Sequence, residues 1–545
     1  MLTQFASFPR IAVAGLALLL TAVSASAVEV PAGTKLAPVQ ELVRGNGTEP
    51  ATLDPNKMQG VPESNLARDL FEGLVNQDPD GKIIPGVASS WEAREGGKVW
   101  VFHLRPNLKW SDGKPLTAAD FVFSARRVVD PKAASPYAWY LAKAASIENA
   151  LEISEGKKAP ETLGVKALDD RTVEFRLTRP LAFFVSTMSH TTMLPVPKHM
   201  VEKLGDRWSD TANFVSNGAY KLVERVVNER IVMVRNPLYW NDAKTVVNKV
   251  TWLALNSVTA EFQRYRAGEI DLTENGGVPT EQMKMIRQEH ANEFKSWSQV
   301  GTYYYGFNTK VKPFDDVRVR KALSLLVNRD VITKQLLGTG EVPAYSFTPE
   351  VTQGSKPIVH DWQKMSQNER DAEAGRLLAA AGYGPKNPLR AKFLYNTSES
   401  HKKIALAVAS MWRRAGISIE LINQEWKTYL DTKRAGNFEI VRAGWVGDYN
   451  EPSTMMDMFT TTHGNNDGKY SNPKYDELLD KVKVVPDEEG RAMIYQEAEK
   501  ILAADFPAAF IYQYSNRYLI KPYVRGYGNN PDGRILTKDL YLVAH

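Results

Sequence analysis

Apolar positions recur along this chain with two periods, and the change from one to the other divides it. Between residues 91 and 105 polar and apolar side chains alternate. Val99, Val101 and His103 fall on one face and Trp100, Phe102 and Leu104 on the other, which predicts a hairpin. Residues 37–46 predict an earlier strand that leads to the turn Leu53-Asp54-Pro55. Leu66, Leu70, Phe71 and Leu74 then follow at helical spacing, with Ser64 as candidate N-cap. A second hairpin over 165–177, strands over 230–235 and 250–255 and a short helix over 260–266 complete a strand-rich first part.

From Tyr303 the character changes. Residues 303–308 predict a strand, and 317–337 one helix carrying Leu323, Leu326, Val327 and Ile332, ended by Gly338 and Gly340. Residues 391–395 predict a strand, 401–412 a helix closed by Gly416, and Ile417, Ile419 and Leu421 the next strand. This is a βαβ unit, so a parallel α/β lobe is expected from near residue 300. Lys521-Pro522 and the final residues read as a return to the first lobe. With no internal repeat and no low-complexity linker, two lobes joined by crossovers are expected.

A shorter apolar run over 438–441, entered from Gly436 and Asn437, predicts a buried strand. It places Arg442 at the carboxyl end and Asp448 six residues later, with Gly444, Trp445 and Gly447 between. Ligands of open α/β sheets bind outside the carboxyl ends of strands, where glycine lets another backbone approach closely. A cation and an anion so placed form either a structural ion pair or a holder for a ligand bearing both charges.

Composition narrows the chemistry. The first 27 residues hold one cation, Arg10, an apolar run from Ile11 to Val23 and the small-x-small site Ala25-Ser26-Ala27. They read as a secretory signal peptide cleaved after Ala27, with a soluble periplasmic product. Cysteine is absent, so neither a disulfide nor a lipid anchor on cysteine is available. Lys plus Arg (68) nearly balance Asp plus Glu (63) without a block of five like charges, so neither nucleic acid nor an anionic membrane is implied.

Eight histidines, none at metal-ligand spacing, supply no zinc site. Asn76-Gln77-Asp78-Pro79-Asp80-Gly81 imitates half a calcium loop, but Val87 stands where the glutamate belongs, so a turn and no metal are expected. Gly-x-Ser-x-Gly and Gly-x-Gly-x-x-Gly are absent, and Ser-x-x-Lys at Ser154, Ser400 and Ser471 lacks its companion elements. A binding protein without a cofactor is expected rather than an enzyme, with a paired-carboxylate hydrolase as the catalytic alternative.

One motif is long enough to carry a family resemblance. Trp110-Ser111-Asp112-Gly113 makes a turn, and Thr117 with Asp120 makes a capping box before Phe121, Val122, Ala125 and Val128. Read with Val61-Pro62-Glu63-Ser64-Asn65 and Asn423-Gln424-Glu425-Trp426-Lys427-Thr428, it resembles the oligopeptide-binding proteins of bacterial ABC importers, most of all their murein tripeptide-binding branch.

The resemblance implies an α/β fold, the two-lobed periplasmic binding protein fold (type II, cluster C) with an extra subdomain in the first lobe. Lobe 1 is expected at 28–71, 198–299 and 516–545, the subdomain at 72–197 and lobe 2 at 300–515. It implies that a monomer encloses short peptides and delivers them to an inner-membrane ABC permease complex. Asp448 would receive the ligand ammonium, Arg442 the carboxylate of a three-residue ligand and His401 that of other lengths. Val61 and Gly444 would lend backbone, and Tyr137, Tyr304, Trp426, Trp445 and Tyr514 would line side-chain pockets.

Val300 and Val446 occupy positions where some relatives carry a cysteine pair. Gln59 stands where general oligopeptide binders often have glutamate, and Lys433 where many have arginine beside the ligand. General oligopeptides and a murein tripeptide are thus both expected ligands. A nickel, sugar or haem binder on the same fold and a peptide-holding chaperone are further alternatives.

Overall fold

A computed structural model describes residues 30–485 and 487–545. The expected signal peptide lies outside these residues. Three sheets organise the chain. In the first, Glu41–Gly45 pairs in parallel with Lys249–Leu253, which continues antiparallel to Arg230–Arg235 and Tyr220–Val226. In the second, Ala88–Arg94, Val99–Leu104, Thr172–Arg176 and Val165–Asp169 lie in that order, all antiparallel, and both expected hairpins are present. Helix Ala118–Val129 opens with the Thr117/Asp120 capping box.

The third sheet has six strands in the order Val342–Pro343, Ala508–Leu519, Phe294–Phe307, Ile440–Val446, Arg390–Asn396 and Ser418–Gln424. The expected βαβ unit is present, with helix Glu399–Arg414 crossing between the parallel strands Arg390–Asn396 and Ser418–Gln424. The sheet itself is mixed rather than parallel, because Phe294–Phe307 is antiparallel to both of its neighbours. Helix Glu399–Arg414 buries Ile404, Val408 and Trp412, and the Trp412 indole donates to the Leu323 carbonyl at 2.9 Å. Gly416, at φ +81°, turns the chain at its end.

One ribbon joins the first and third sheets. Phe294 to Ser298 pair with Leu519 to Ser515, the register shifts between Ser298 and Thr302, and Thr302 to Gly306 then pair with the segment from Gln513 to Ala508. At its first end, bridges run from Ile520 to Leu272 and from Leu272 to Arg44 of the first sheet. The chain end returns there too, Ala37 donating to the Leu542 carbonyl at 2.9 Å.

Three local expectations need correction. Helix Val61–Leu70 begins three residues before Ser64, behind Gly60, because Pro62 suits a first turn; Phe71 and Leu74 lie beyond its end. The helix expected over 317–337 is broken into Val317–Leu325 and the π-helical Val331–Leu337. Arg329 sits in the break, 1% exposed, and donates to the carbonyls of Ser324, Val327, Ala344 and Phe510. Burial pushes its guanidinium down to about 9. The strand expected over 438–441 is Ile440–Val446, so Arg442 lies inside it rather than at its end.

Candidate functional site

Between the first and third sheets lies a cavity of about 360 Å³. Val61, Tyr137, His401, Trp426, Lys433, Arg442, Gly444, Trp445, Asp448 and Tyr514 all line it. Tyr304 does not. Side chains alternate along Phe294–Phe307, so the Tyr303 ring lies 4.7 Å from the Arg442 guanidinium while Tyr304 turns to the opposite face. There Tyr304 packs on Phe347 and Phe459 and borders a void of about 20 Å³ together with Lys433 and Asp467.

Asp448 is 7% exposed and held from several directions. Its N–H donates to Thr454 Oγ1 at 2.8 Å, and its carbonyl accepts from Arg534 Nη2 at 2.8 Å. His190 Nε2 lies 3.2 Å from its carboxylate. The Thr192 N–H donates to His190 Nδ1, which leaves Nε2 as the ring nitrogen that faces Asp448. The His190 ring stacks on Tyr137 and Tyr140, at 4.9 and 4.6 Å. Burial, and then the Asp448 charge, push both phenols well above the ordinary tyrosine range.

Arg442 extends from the middle of its strand. One amino group donates to Tyr514 Oη at 3.1 Å and the other to Asn396 Oδ1 at 3.4 Å. No carboxylate stands within ion-pair distance of it among the described residues, and its buried Nε has no partner. His401 sits in the first turn of helix Glu399–Arg414, where the Ser398 hydroxyl caps its N–H. Burial, reinforced by Arg442, holds the imidazole well below its ordinary pKa, so it is neutral, and its Nδ1 is also without a partner. A helix N-terminus, a guanidinium without a counter-ion and an imidazole thus converge on a site suited to an anion.

Glycine makes room along the wall. A Cβ on Gly444 would lie 2.2 Å from Tyr514 Oη. Lys433 lines the cavity but is paired with Asp467 at 2.8 Å. Gln59 accepts from Arg434 across the cavity mouth at 2.5 Å, and Ser257 donates to Glu399 at 2.9 Å. Val300 and Val446 lie on adjacent strands of the third sheet, where Gly301 opposes Val446.

Sequence reasoning missed His190, Arg534, Arg68, Asn396 and Tyr303. His190 lies in a Ser-His-Thr-Thr stretch with no spacing signal, and Arg534 reaches Asp448 from 86 residues away. Asn396 alone had a cue, as the last residue of the βαβ unit's first strand. Among the described residues no group of three His, Cys, Asp or Glu is placed to hold a metal ion, and no helix is long and apolar enough to cross a membrane.

The chain is similar to known proteins over nearly all its length. It is 48% identical over 532 residues to the periplasmic murein peptide-binding protein MppA of Escherichia coli strain K12, covering 97% of this chain and 98% of that one. It is equally 48% identical over 529 residues to the periplasmic oligopeptide-binding protein OppA of Salmonella typhimurium strain LT2, covering 97% of each. The solved structure of Escherichia coli MppA superposes with a TM-score of 0.91, covering 94% of this chain and all of the other. The unliganded open form of MppA reaches only 0.69 at the same 48% identity, covering 94% and 99%. These likenesses bear out the expected two-lobed α/β fold. The model of the bacterial extracellular solute-binding proteins, family 5 Middle, matches residues 82–467, and the chain belongs to that family.

Proposed function

We propose that this chain is the periplasmic substrate-binding component of an ABC peptide importer, a receptor rather than an enzyme. Its lobes enclose a short peptide, with Asp448 holding the ammonium and Arg442, assisted by His401, the carboxylate. The observation that carries this reading is one strand and its following loop presenting a guanidinium without a counter-ion and a buried carboxylate to one cavity. Six residues separate them, about 20 Å of extended chain. An extended tripeptide spans about 10 Å, a length that fits within this separation.

Backbone pairing by Val61 and Gly444 lets the receptor take its affinity from features that every peptide has. Charged termini shut away from water need partners, or they oppose binding by several kcal/mol each. The lobes are 28–71 with 198–299 and 516–545, and 300–515, with 72–197 as the added subdomain. The proposed boundary near 300 falls on the ribbon's register shift. The mature protein begins at Val28 after cleavage behind Ala27, works as a monomer and delivers its ligand to an inner-membrane permease.

A receptor dedicated to a murein tripeptide is the second reading, since the chain is as similar to MppA as to OppA. Mass spectrometry of the small molecules released on denaturing the purified periplasmic protein separates the two. Mixed short peptides are expected; one γ-linked species supports the second reading, and release of non-peptide solutes alone overturns both.

A further inference from the structure

The charges lining the cavity fall into three groups. Four cationic side chains face it: Arg68, Lys433, Arg442 and Arg534. Arg534 is paired with Asp532 at 3.4 Å, and Lys433 with Asp467 at 2.8 Å. Arg68 donates to the Ser189 carbonyl at 3.1 Å and feels the charges of Asp532 and Asp448 beyond contact range. Arg442 has no carboxylate within ion-pair distance among the described residues, and its buried Nε is without a partner.

The Lys433 ammonium borders the cavity but is already neutralised by Asp467, which lies behind it on a small void. Asp467 is buried and Lys433 half-buried, and Asp467 raises the lysine pKa against the opposing effect of burial. The void on the Asp467 side, about 20 Å³, has room for a water molecule but not for a carboxylate side chain, so a ligand reaches this pair only from the cavity side of Lys433. Their neighbours Asn465 and Gln59 are neutral, and Gln59 is engaged by Arg434. A second ligand carboxylate here must either displace Asp467, leaving a buried carboxylate unpaired, or lie beside it as a like charge.

We propose that the Lys433–Asp467 pair makes this receptor select ligands with one carboxylate, at the Arg442 end, and reject an additional carboxylate carried within the ligand. This rests on the peptide-binding reading above. It assigns Asp467 as a specificity-determining residue acting through Lys433, and it disfavours a ligand containing an internal γ-linked glutamate with a free α-carboxylate.

Calorimetry on the purified full-length mature protein, stripped of ligand, tests it with Ala-Ala-Ala, Ala-Gln-Ala and Ala-Glu-Ala. The glutamyl peptide is expected to bind roughly tenfold or more weakly than its glutaminyl isostere. The variant Asp467→Asn is expected to bring the two within about threefold, chiefly by improving Ala-Glu-Ala. Equal binding of the glutaminyl and glutamyl peptides by the wild type overturns the inference while leaving the peptide reading intact. Failure of all three peptides to bind overturns the reading and the inference with it. If Asp467→Asn does not fold, the wild-type pair still decides.

Discussion

At one end of the cavity three side chains already hold Asp448: His190 at its carboxylate, Thr454 at its N–H and Arg534 at its carbonyl. At the other end Arg442 keeps one donor unused, and the neighbouring His401 has a buried Nδ1 without a partner. The acid end is therefore set before any ligand arrives, whereas the cationic end is completed by the anion it receives. The difference has a structural origin. Asp448 stands in a loop just past a strand end, where segments from residues 190 and 534 converge. Arg442 stands mid-strand, with an aromatic floor of Tyr303 and Tyr514 that cannot neutralise it.

The largest expected effect breaks the acid end. Asp448→Asn leaves a ligand ammonium buried without an anion and is expected to weaken tripeptide binding by about 2 to 5 kcal/mol. The same variant should bind Ala-Ala-Ala and its N-acetyl form alike, since the distinction between them resides in that charge. Calorimetry giving wild-type affinity in Asp448→Asn removes this residue from the site.

Arg442→Met breaks the other end by less, about 1.5 to 3 kcal/mol, because the helix N-terminus at Ser398 and His401 still face the ligand carboxylate. Removing the charge from the ligand should mirror the variant. Wild type should lose affinity for a C-terminal carboxamide, and Arg442→Met should hardly distinguish amide from acid. A variant that keeps the full preference for the acid assigns carboxylate recognition elsewhere.

How much of this was legible in the sequence follows from the range of each interaction. The Thr117/Asp120 cap, the βαβ unit and both hairpins depend on neighbours in the chain, and the residue pattern displays them. The break at Arg329 was invisible because its carbonyl partners include Ala344 and Phe510, distant in sequence and carrying no side-chain signal. Arg442 and Asp448 were legible as a charged pair flanking glycines, while their polarisation into a held acid and an unfilled cation depends on residues from other segments of the chain, His190 and Arg534 among them. Tyr304 illustrates the limit of a resemblance. Three consecutive tyrosines on one strand must alternate faces, and Tyr303 is the one that meets Arg442.

Histidine titration sharpens the comparison by probing a wall close to the acid end. His463 packs on Trp139 and Trp445. Burial, and then the charges of Lys483 and Lys143, hold its pKa down to about 3. The unfolded chain takes up this proton near pH 6.5 and the folded chain near 3, so the ring's contribution to stability declines as pH falls through that window. Relative to His463→Gln, wild type should lose up to about 1.4 kcal/mol of stability per pH unit below 6.5. Urea titrations at pH 7, 6 and 5 check this, and parallel slopes for the two proteins count against a neutral buried ring.

The smallest expected effect tests the cationic end without removing a charge. A methyl group on Gly444 meets the Tyr514 hydroxyl, so Gly444→Ala must move that ring tip and break its 3.1 Å contact with Arg442. Tyr514→Phe removes the same contact without adding bulk. Each should cost about 1 kcal/mol in tripeptide affinity, the ordinary net worth of one hydrogen bond. The alanine also takes up space beside the ligand backbone, so its loss should exceed that of Tyr514→Phe if a peptide strand lies against Gly444. Equal losses would restrict the glycine's role to accommodating Tyr514.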